Sequence, residues 1–366
     1  MSGVDIKKLS TVEFIIFIHS IQVASGILTM PGAVARVAGP DGWISIIFGW
    51  LITSIVGIMI VKIVQIKPNL NFCEILKFYF GKWMGTVLIL LYALYLLYAG
   101  FNTILKAIEI VKVWIFPMIP SYQIAILLLS PFLILIPYGI IAVARYSISI
   151  FLLTAFLPLI LLFSLKNNFN FLFLLPVLED GILPVFKGIE KTITPFAGLE
   201  TVYFVYPLLK QKEKAILGVV IANTGTMFLY LFVTIICYIY FSSKEIQEII
   251  WPALLLLKSI HFSFLERLEI VYISYYLIVF SSTIYSYLYL SGDLLKSVTQ
   301  KYSNRILVIY VTIIVFVFFF YSPEMKQMSI MYSIMDNLNI IFFLILPFLF
   351  FIYVSIASWK MRGRSI

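Results

Sequence analysis

Charge is scarce in this sequence. Asp, Glu, Lys and Arg make up 12% of its 366 residues, about half the share of a soluble domain. Histidine is scarcer still. Neither His19 nor His261 lies in an H-E-x-x-H setting, which removes the metalloprotease reading. The two cysteines, Cys73 and Cys237, lie far apart and form no C-x-x-C pair. Buried free thiols are therefore expected, not a disulfide framework. Isolated serines without a paired base give no case for a hydrolase. The expectation is a non-enzyme without metal or cofactor.

What remains is apolar. Hydrophobic residues make up 62% of the chain and the mean hydropathy is +1.07. With about 20 apolar residues per crossing, the length accommodates about ten spans joined by short loops. The net charge of +9 could serve a nucleic acid, but the basic residues cluster on no soluble domain. The N-terminus imitates a secretory signal, with Lys7-Lys8, an apolar run and small residues at Val23-Ala24-Ser25. Glu13, His19 and Gln22 interrupt that run, so an uncleaved first span is expected.

In chain order the expected spans are 12–37, 42–66, 82–116, 122–136, 140–165, 184–209, 215–241, 264–290, 306–321 and 328–358. A short amphipathic surface helix is expected at 69–80, with Glu74 and Lys77 on its wet side. The third span ends in Asn102, Lys106, Glu109 and Lys112, which should emerge from the bilayer or line a wet vestibule. The interval 166–191 is too polar to span and should lie against the membrane surface. An even span count puts sixteen of the 26 basic residues and five of the 17 acidic ones on the side of the termini. That asymmetry places both termini in the cytoplasm.

Two interruptions stand out. Ala24-Ser25-Gly26-Ile27-Leu28-Thr29-Met30-Pro31 lies inside the first apolar segment, and Thr194-Pro195-Phe196-Ala197-Gly198-Leu199-Glu200 inside the sixth. Gly relaxes the backbone, and Pro removes a donor and clashes one turn back. Each stretch reads either as an unwound point facing a polar ligand or as a Pro kink whose small residues serve packing. Gly26 and Gly198 are 172 positions apart, each in the first span of a five-span half. Corresponding breaks in two halves point to an inverted-repeat transporter fold with its site between them. The expected architecture is an all-α polytopic membrane protein, one transmembrane domain, with five-helix repeats at 10–165 and 184–358.

These residues carry a resemblance. The S-G-I-L-T-M-P break and the F-A-G-L-E break resemble the amino acid–polyamine–cation superfamily, whose fold is LeuT-like with helices 1 and 6 broken. Within it the chain is similar to the B subunits of nutrient germinant receptors, the endospore germination permease family. L-L-P-V-L-E-D-G-I-L-P-V-F-K-G at 174–188 and F-L-E-R-L-E at 264–269 match as well. The superfamily often has a second glycine in the first break, where this chain has Ala24 and Ser25. The resemblance implies a protein of the spore inner membrane that binds a small nutrient, usually an amino acid. It also implies a larger A subunit and a lipoprotein C subunit as partners.

For an amino-acid zwitterion, freed N–H groups at the start of a half-helix suit the carboxylate. Ala24, Ser25, Gly26 and Ile27 are the candidates. Carbonyls of Phe196, Ala197, Gly198 and Leu199 suit the ammonium. Span 8 adds Ser281, Ser282, Thr283 and Tyr287, and span 3 adds Tyr95, Tyr98 and Asn102. Hydroxyls in membrane helices often bond only their own i−4 carbonyl, which is the plain alternative for each. Glu200 beside the second break is read as a proton carrier or as a structural carboxylate bonding freed backbone. His19 and Gln22, at i and i+3, share a face toward the bundle interior. Glu266, Arg267 and Glu269, at the outer end of span 8, are expected to form a solvated or interface ion pair. Two functions remain in competition: a nutrient-sensing receptor subunit, and a proton-coupled amino-acid permease acting alone.

Overall fold

A computed structural model of the chain describes residues 8–362 apart from 167, 261, 263–265 and 300. Lys7, His261, Phe264, Leu265 and Arg364, all used in the sequence reading, lie outside the described residues. The first helix, α1 (Thr11–Gln22), is followed by α2 (Gly26–Ala38), α3 (Gly42–Ile66) and α4 (Phe72–Trp114). Next come α5 (Ser121–Leu135), α6 (Ile140–Thr154), the one-turn α7 (Leu157–Ile160), α8 (Leu183–Phe196) and the one-turn α9 (Val202–Val205). The chain continues through α10 (Ala215–Tyr240), the short α11 (Ser243–Glu248) and α12 (Pro252–Lys258), then α13 (Leu268–Thr299) and α14 (Asn304–Phe318). It closes with α15 (Met325–Asn339) and α16 (Leu346–Arg362). No strand occurs among the described residues.

Among the described residues, seven helical stretches are long and apolar enough to cross a membrane: 26–66, 72–114, 121–138, 140–166, 212–240, 268–299 and 325–359. α1 and α14 are apolar but shorter. The chain is an integral, polytopic, all-α membrane protein, the class in which each segment satisfies its own backbone.

Local chemistry explains the element ends. Ser10 and Glu13 form a reciprocal capping box at α1, with Glu13 N–H donating to Ser10 Oγ (3.2 Å) and Ser10 N–H to Glu13 Oε2 (2.7 Å). Asn71 and Glu74 repeat the device at α4. Within α4, Gly81 adopts φ 77°, ψ 170°, and a Cβ on Gly85 would sit 2.8 Å from Lys77 Cα. The chain therefore turns sharply there, separating an amphipathic arm at 72–80 from the long apolar arm. Glu74 on that arm is exposed and Lys77 half-buried. A π-helical turn at Ile340–Ile345 precedes Pro347 and absorbs the ring without ending the helix.

α13 is the axis of the bundle. Every residue from Val279 to Gly292 is buried, and α4 lies along it. Below the bundle, Leu9 pairs with the end of the sixth span: its N–H donates to Leu208 O (2.8 Å) and Lys210 N–H donates to Leu9 O (2.9 Å). Arg145 meets Glu13 at 3.2 Å beside this bridge. The start of the first interrupted span and the end of the second are thus tied together.

Candidate functional site

The first break is shorter than the sequence suggests and falls earlier. α1 stops at Gln22, Val23 leaves helical geometry (φ −82°, ψ 68°), and helix resumes at Gly26. Ile27 to Pro31 are helical, so the non-helical part of 24–31 is confined to Ala24 and Ser25. Pro31 lies inside α2 as its sixth residue, where it forfeits the i−4 bond to Ile27 O without ending the helix.

Hydroxyls from two other helices meet the carbonyls released here. Thr283 Oγ1 on α13 donates toward Ser20 O (3.3 Å) and Ile21 O (3.1 Å), and Tyr276 OH donates to Ala24 O (2.5 Å). Tyr230 OH on α10 lies 2.8 Å from Gln22 O and 3.0 Å from Pro195 O, so one hydroxyl spans both breaks. The donors fare differently. Ser25 makes no side-chain cap, and the N–H groups of Ser25, Gly26 and Ile27 have no acceptor among the described residues. A helix N-terminus left open in this way favours an anion.

The second break lies at Ala197-Gly198. Ala197 is extended, and Gly198 has φ 124°, which only glycine adopts readily. A 3-10 turn, Leu199–Thr201, leads into α9. Glu200 is fully buried in this turn. Its Oε2 accepts the Gly198 N–H at 2.7 Å, and its Oε1 accepts from Tyr95 OH (3.0 Å) and Tyr287 OH (3.4 Å). The side chain thus bonds a backbone group freed by its own break.

The two breaks adjoin. A Cβ on Gly26 would lie 2.9 Å from Pro195 Cβ, and one on Gly198 would lie 3.3 Å from Gln22 Cγ. Gln22 ties them further: its Nε2 donates to Phe196 O (2.8 Å) and to Asn223 Oδ1 (3.0 Å). Thr226 Oγ1 sits 2.8 Å from both Gln22 Oε1 and His19 Nδ1.

A cavity of about 180 Å³ opens where the breaks meet. An engineered cavity of about 150 Å³ holds one benzene, so a small organic molecule fits. Its walls include Ala24, Ser25, Gly26, Asn102, Ala197, Thr283 and Tyr287, all named from the sequence. The remaining sequence candidates stand apart from it. Ile27 lines a separate, mostly apolar cavity beside His19. Tyr95 and Tyr98 face an apolar groove between α4, α14 and α15, where Tyr98 OH donates to Met331 O (2.9 Å). Phe196, Gly198 and Leu199 are buried beneath the cavity wall. Ser281 and Ser282 also lie outside the lining; they bond Ile278 O and Val279 O one turn back. Arg267 pairs with the buried Glu269 at 3.0 Å at the start of α13, away from the cavity.

Several lining residues were not anticipated. Asp336 accepts from Thr194 Oγ1 at 2.6 Å, and Asn339 Nδ2 donates to the same hydroxyl at 3.1 Å. Met335, Glu190 and Lys191 complete the outer part. Lys106, expected either to emerge from the bilayer or to line a wet vestibule, donates to Ser25 Oγ at 3.2 Å. Among the described residues no cluster of His, Cys, Asp and Glu could hold a metal.

A family model described as spore germination protein matches residues 8–328. Spore germination protein YndE of Bacillus subtilis is 31% identical over 255 residues, covering 69% of this chain and 70% of that one. Spore germination protein GerQB of Bacillus cereus is 31% identical over 263 residues, covering 70% and 71%. Spore germination protein A2 of Bacillus subtilis is 28% identical over 357 residues, covering 95% and 96%.

Proposed function

This chain belongs to the spore germination protein family, and on that premise we propose that it senses a small nutrient for a germinant receptor. The nutrient, an amino acid, binds in the cavity between the breaks and biases the protein between two conformations. A ligand can do this only through unequal affinity for the two states. One observation carries the reading: residues of both breaks, Ser25-Gly26 and Ala197, line a single cavity of small-molecule size.

The architecture that goes with it has ten crossings in two five-helix repeats, 10–165 and 184–358, of LeuT-like topology. The pairs α1–α2, α6–α7, α8–α9 and α15–α16 each count as one crossing, alongside α3, α4, α5, α10, α13 and α14. α2 and α3 count separately because a Cβ on Gly42 would lie 2.8 Å from Val34 Cγ2. Eight residues of continuous helix would hold those positions about 12 Å apart. Both termini lie in the cytoplasm, and the membrane is the inner membrane of the spore. An A subunit and a lipoprotein C subunit receive the signal, in keeping with the family.

The competing reading is a proton-coupled amino-acid permease working alone, with Glu200 or His19 carrying the proton. Uptake of radiolabelled amino acids into vesicles holding only this chain separates the two. Binding without accumulation is expected; steady accumulation driven by a pH gradient would overturn the sensor reading.

A further inference from the structure

Lys106 is a lining cation with no carboxylate in direct contact among the described residues. Its ammonium sits on α4, half-buried by surface area and enclosed by the surrounding atoms, and lines the cavity. One N–H donates to Ser25 Oγ at 3.2 Å, and the ammonium also lies over the Tyr332 ring, 5.3 Å from its centre. An ammonium has three donors, so this leaves it incompletely satisfied. Among the described residues no carboxylate oxygen comes within ion-pair distance of it. The acids whose charge it feels, Asp336 and Glu109, stand beyond that distance and hydrogen-bond to other groups. Glu109, one turn on, accepts from Tyr332 OH at 2.5 Å, and Asp336 accepts from Thr194. The other lysine of the lining, Lys191, is paired with Glu190 at 3.2 Å.

Ser25 is also the N-cap of α2, whose first N–H groups are open. Two positive elements therefore converge on the same end of one cavity, the Lys106 ammonium and the α2 N-terminus. A partly desolvated charge facing a helix N-terminus is unfavourable unless an anion lies between them. We propose that Lys106 is the charge partner of the ligand's carboxylate and restricts this cavity to ligands carrying an ionised carboxylate. Neutral amides, esters and sugars of similar size bind more weakly, because none places a negative charge between the Lys106 ammonium and the α2 N-terminus. The proposal rests on the nutrient-binding reading above and adds the group that selects the ligand class.

The test uses the purified full-length protein and direct titration. Common amino acids are screened first, then each one that binds is compared with its own α-carboxamide, which keeps the ammonium and the side chain. Charge-assisted hydrogen bonds set the scale, at least tenfold. The wild-type protein is expected to bind the acid at least tenfold more tightly than the amide. Lys106→Met should bring that ratio close to one, and Lys106→Arg should restore most of it. A wild-type ratio within threefold of unity would overturn the carboxylate requirement while leaving the site standing. Acid binding by Lys106→Met within threefold of wild type would overturn the role of Lys106. If Lys106→Met does not fold, the wild-type ratio and the ratio in Lys106→Arg decide, and a ratio near unity in both overturns the proposal. Absence of binding by every amino acid would instead overturn the nutrient-binding reading itself.

Discussion

Replacing Gly26 with alanine adds a single methyl group where there is no room for one. The new Cβ would lie 2.5 Å from the Tyr230 hydroxyl oxygen, 2.9 Å from its Cζ and 2.9 Å from Pro195 Cβ. Either Tyr230 or the second break must move. If the hydroxyl moves, its contacts to Gln22 O and Pro195 O go with it. Overpacking costs about 1–3 kcal/mol, and hydrogen bonds between membrane helices average about 0.6 kcal/mol each. Together these place Gly26→Ala at about 2–4 kcal/mol of destabilisation. The partner variant Tyr230→Phe removes the closest clashing atom but also leaves two carbonyls without their donor. In the double variant the methyl gains space, so its cost should fall below the sum of the singles by about 1 kcal/mol. The remaining contacts, Tyr230 Cζ and Pro195 Cβ, prevent full rescue. Thermal melting in detergent, with the four proteins treated identically, reads the cycle. Additivity within about 0.5 kcal/mol, or a neutral Gly26→Ala, would refute close packing of the breaks through Tyr230.

Gly26→Trp should abolish the nutrient response of spores while the protein still reaches the membrane, because the indole fills the cavity. Germination and immunoblotting check this, and a normal response would move the site elsewhere. Thr283→Ala removes the donor to Ser20 O and Ile21 O. It should shift the dose–response curve to higher nutrient concentration without preventing assembly, and an unchanged curve for every nutrient would count against it. Glu200→Gln keeps an acceptor for Gly198 N–H and should keep the nutrient response. Glu200→Leu orphans Gly198 N–H and Tyr287 OH, at about 1–3 kcal/mol for each buried group left unpaired, while Tyr95 OH keeps Asn339 Oδ1 at 2.9 Å. Expression and melting distinguish the two, and loss of response in a well-folded Glu200→Gln would favour the proton-carrying role.

The apolar lengths and the Gly/Pro interruptions could be read directly, since both follow from what a bilayer demands of a backbone. Where each break begins could not. That depends on Tyr276, Thr283 and Tyr230 reaching over from α13 and α10 to take the freed carbonyls. The α10 contribution did leave a trace: Asn223, Thr226 and Tyr230 recur at helical spacing on one face of an otherwise apolar helix. Such a stripe inside a bundle marks the side facing other polar groups. Asp336 and Asn339 were harder to place. They join the cavity only because the tenth expected span folds back beside α8, and α15 was read as the plain start of an apolar crossing. Lys106 was legible as an unusual charge, but its contact with Ser25 joins positions 81 apart and has no local signature.

The central claim is that one ligand covers both breaks at once. Ser25→Cys and Ala197→Cys, made separately with Cys73 and Cys237 replaced by serine or alanine, place a thiol on each cavity wall. The measurement is their rate of labelling by a small charged thiol reagent, with and without a nutrient that binds. Slowed labelling at both positions by the same nutrient, over the same concentration range, is the predicted result. Protection of one thiol alone, or of neither while binding persists, would contradict it.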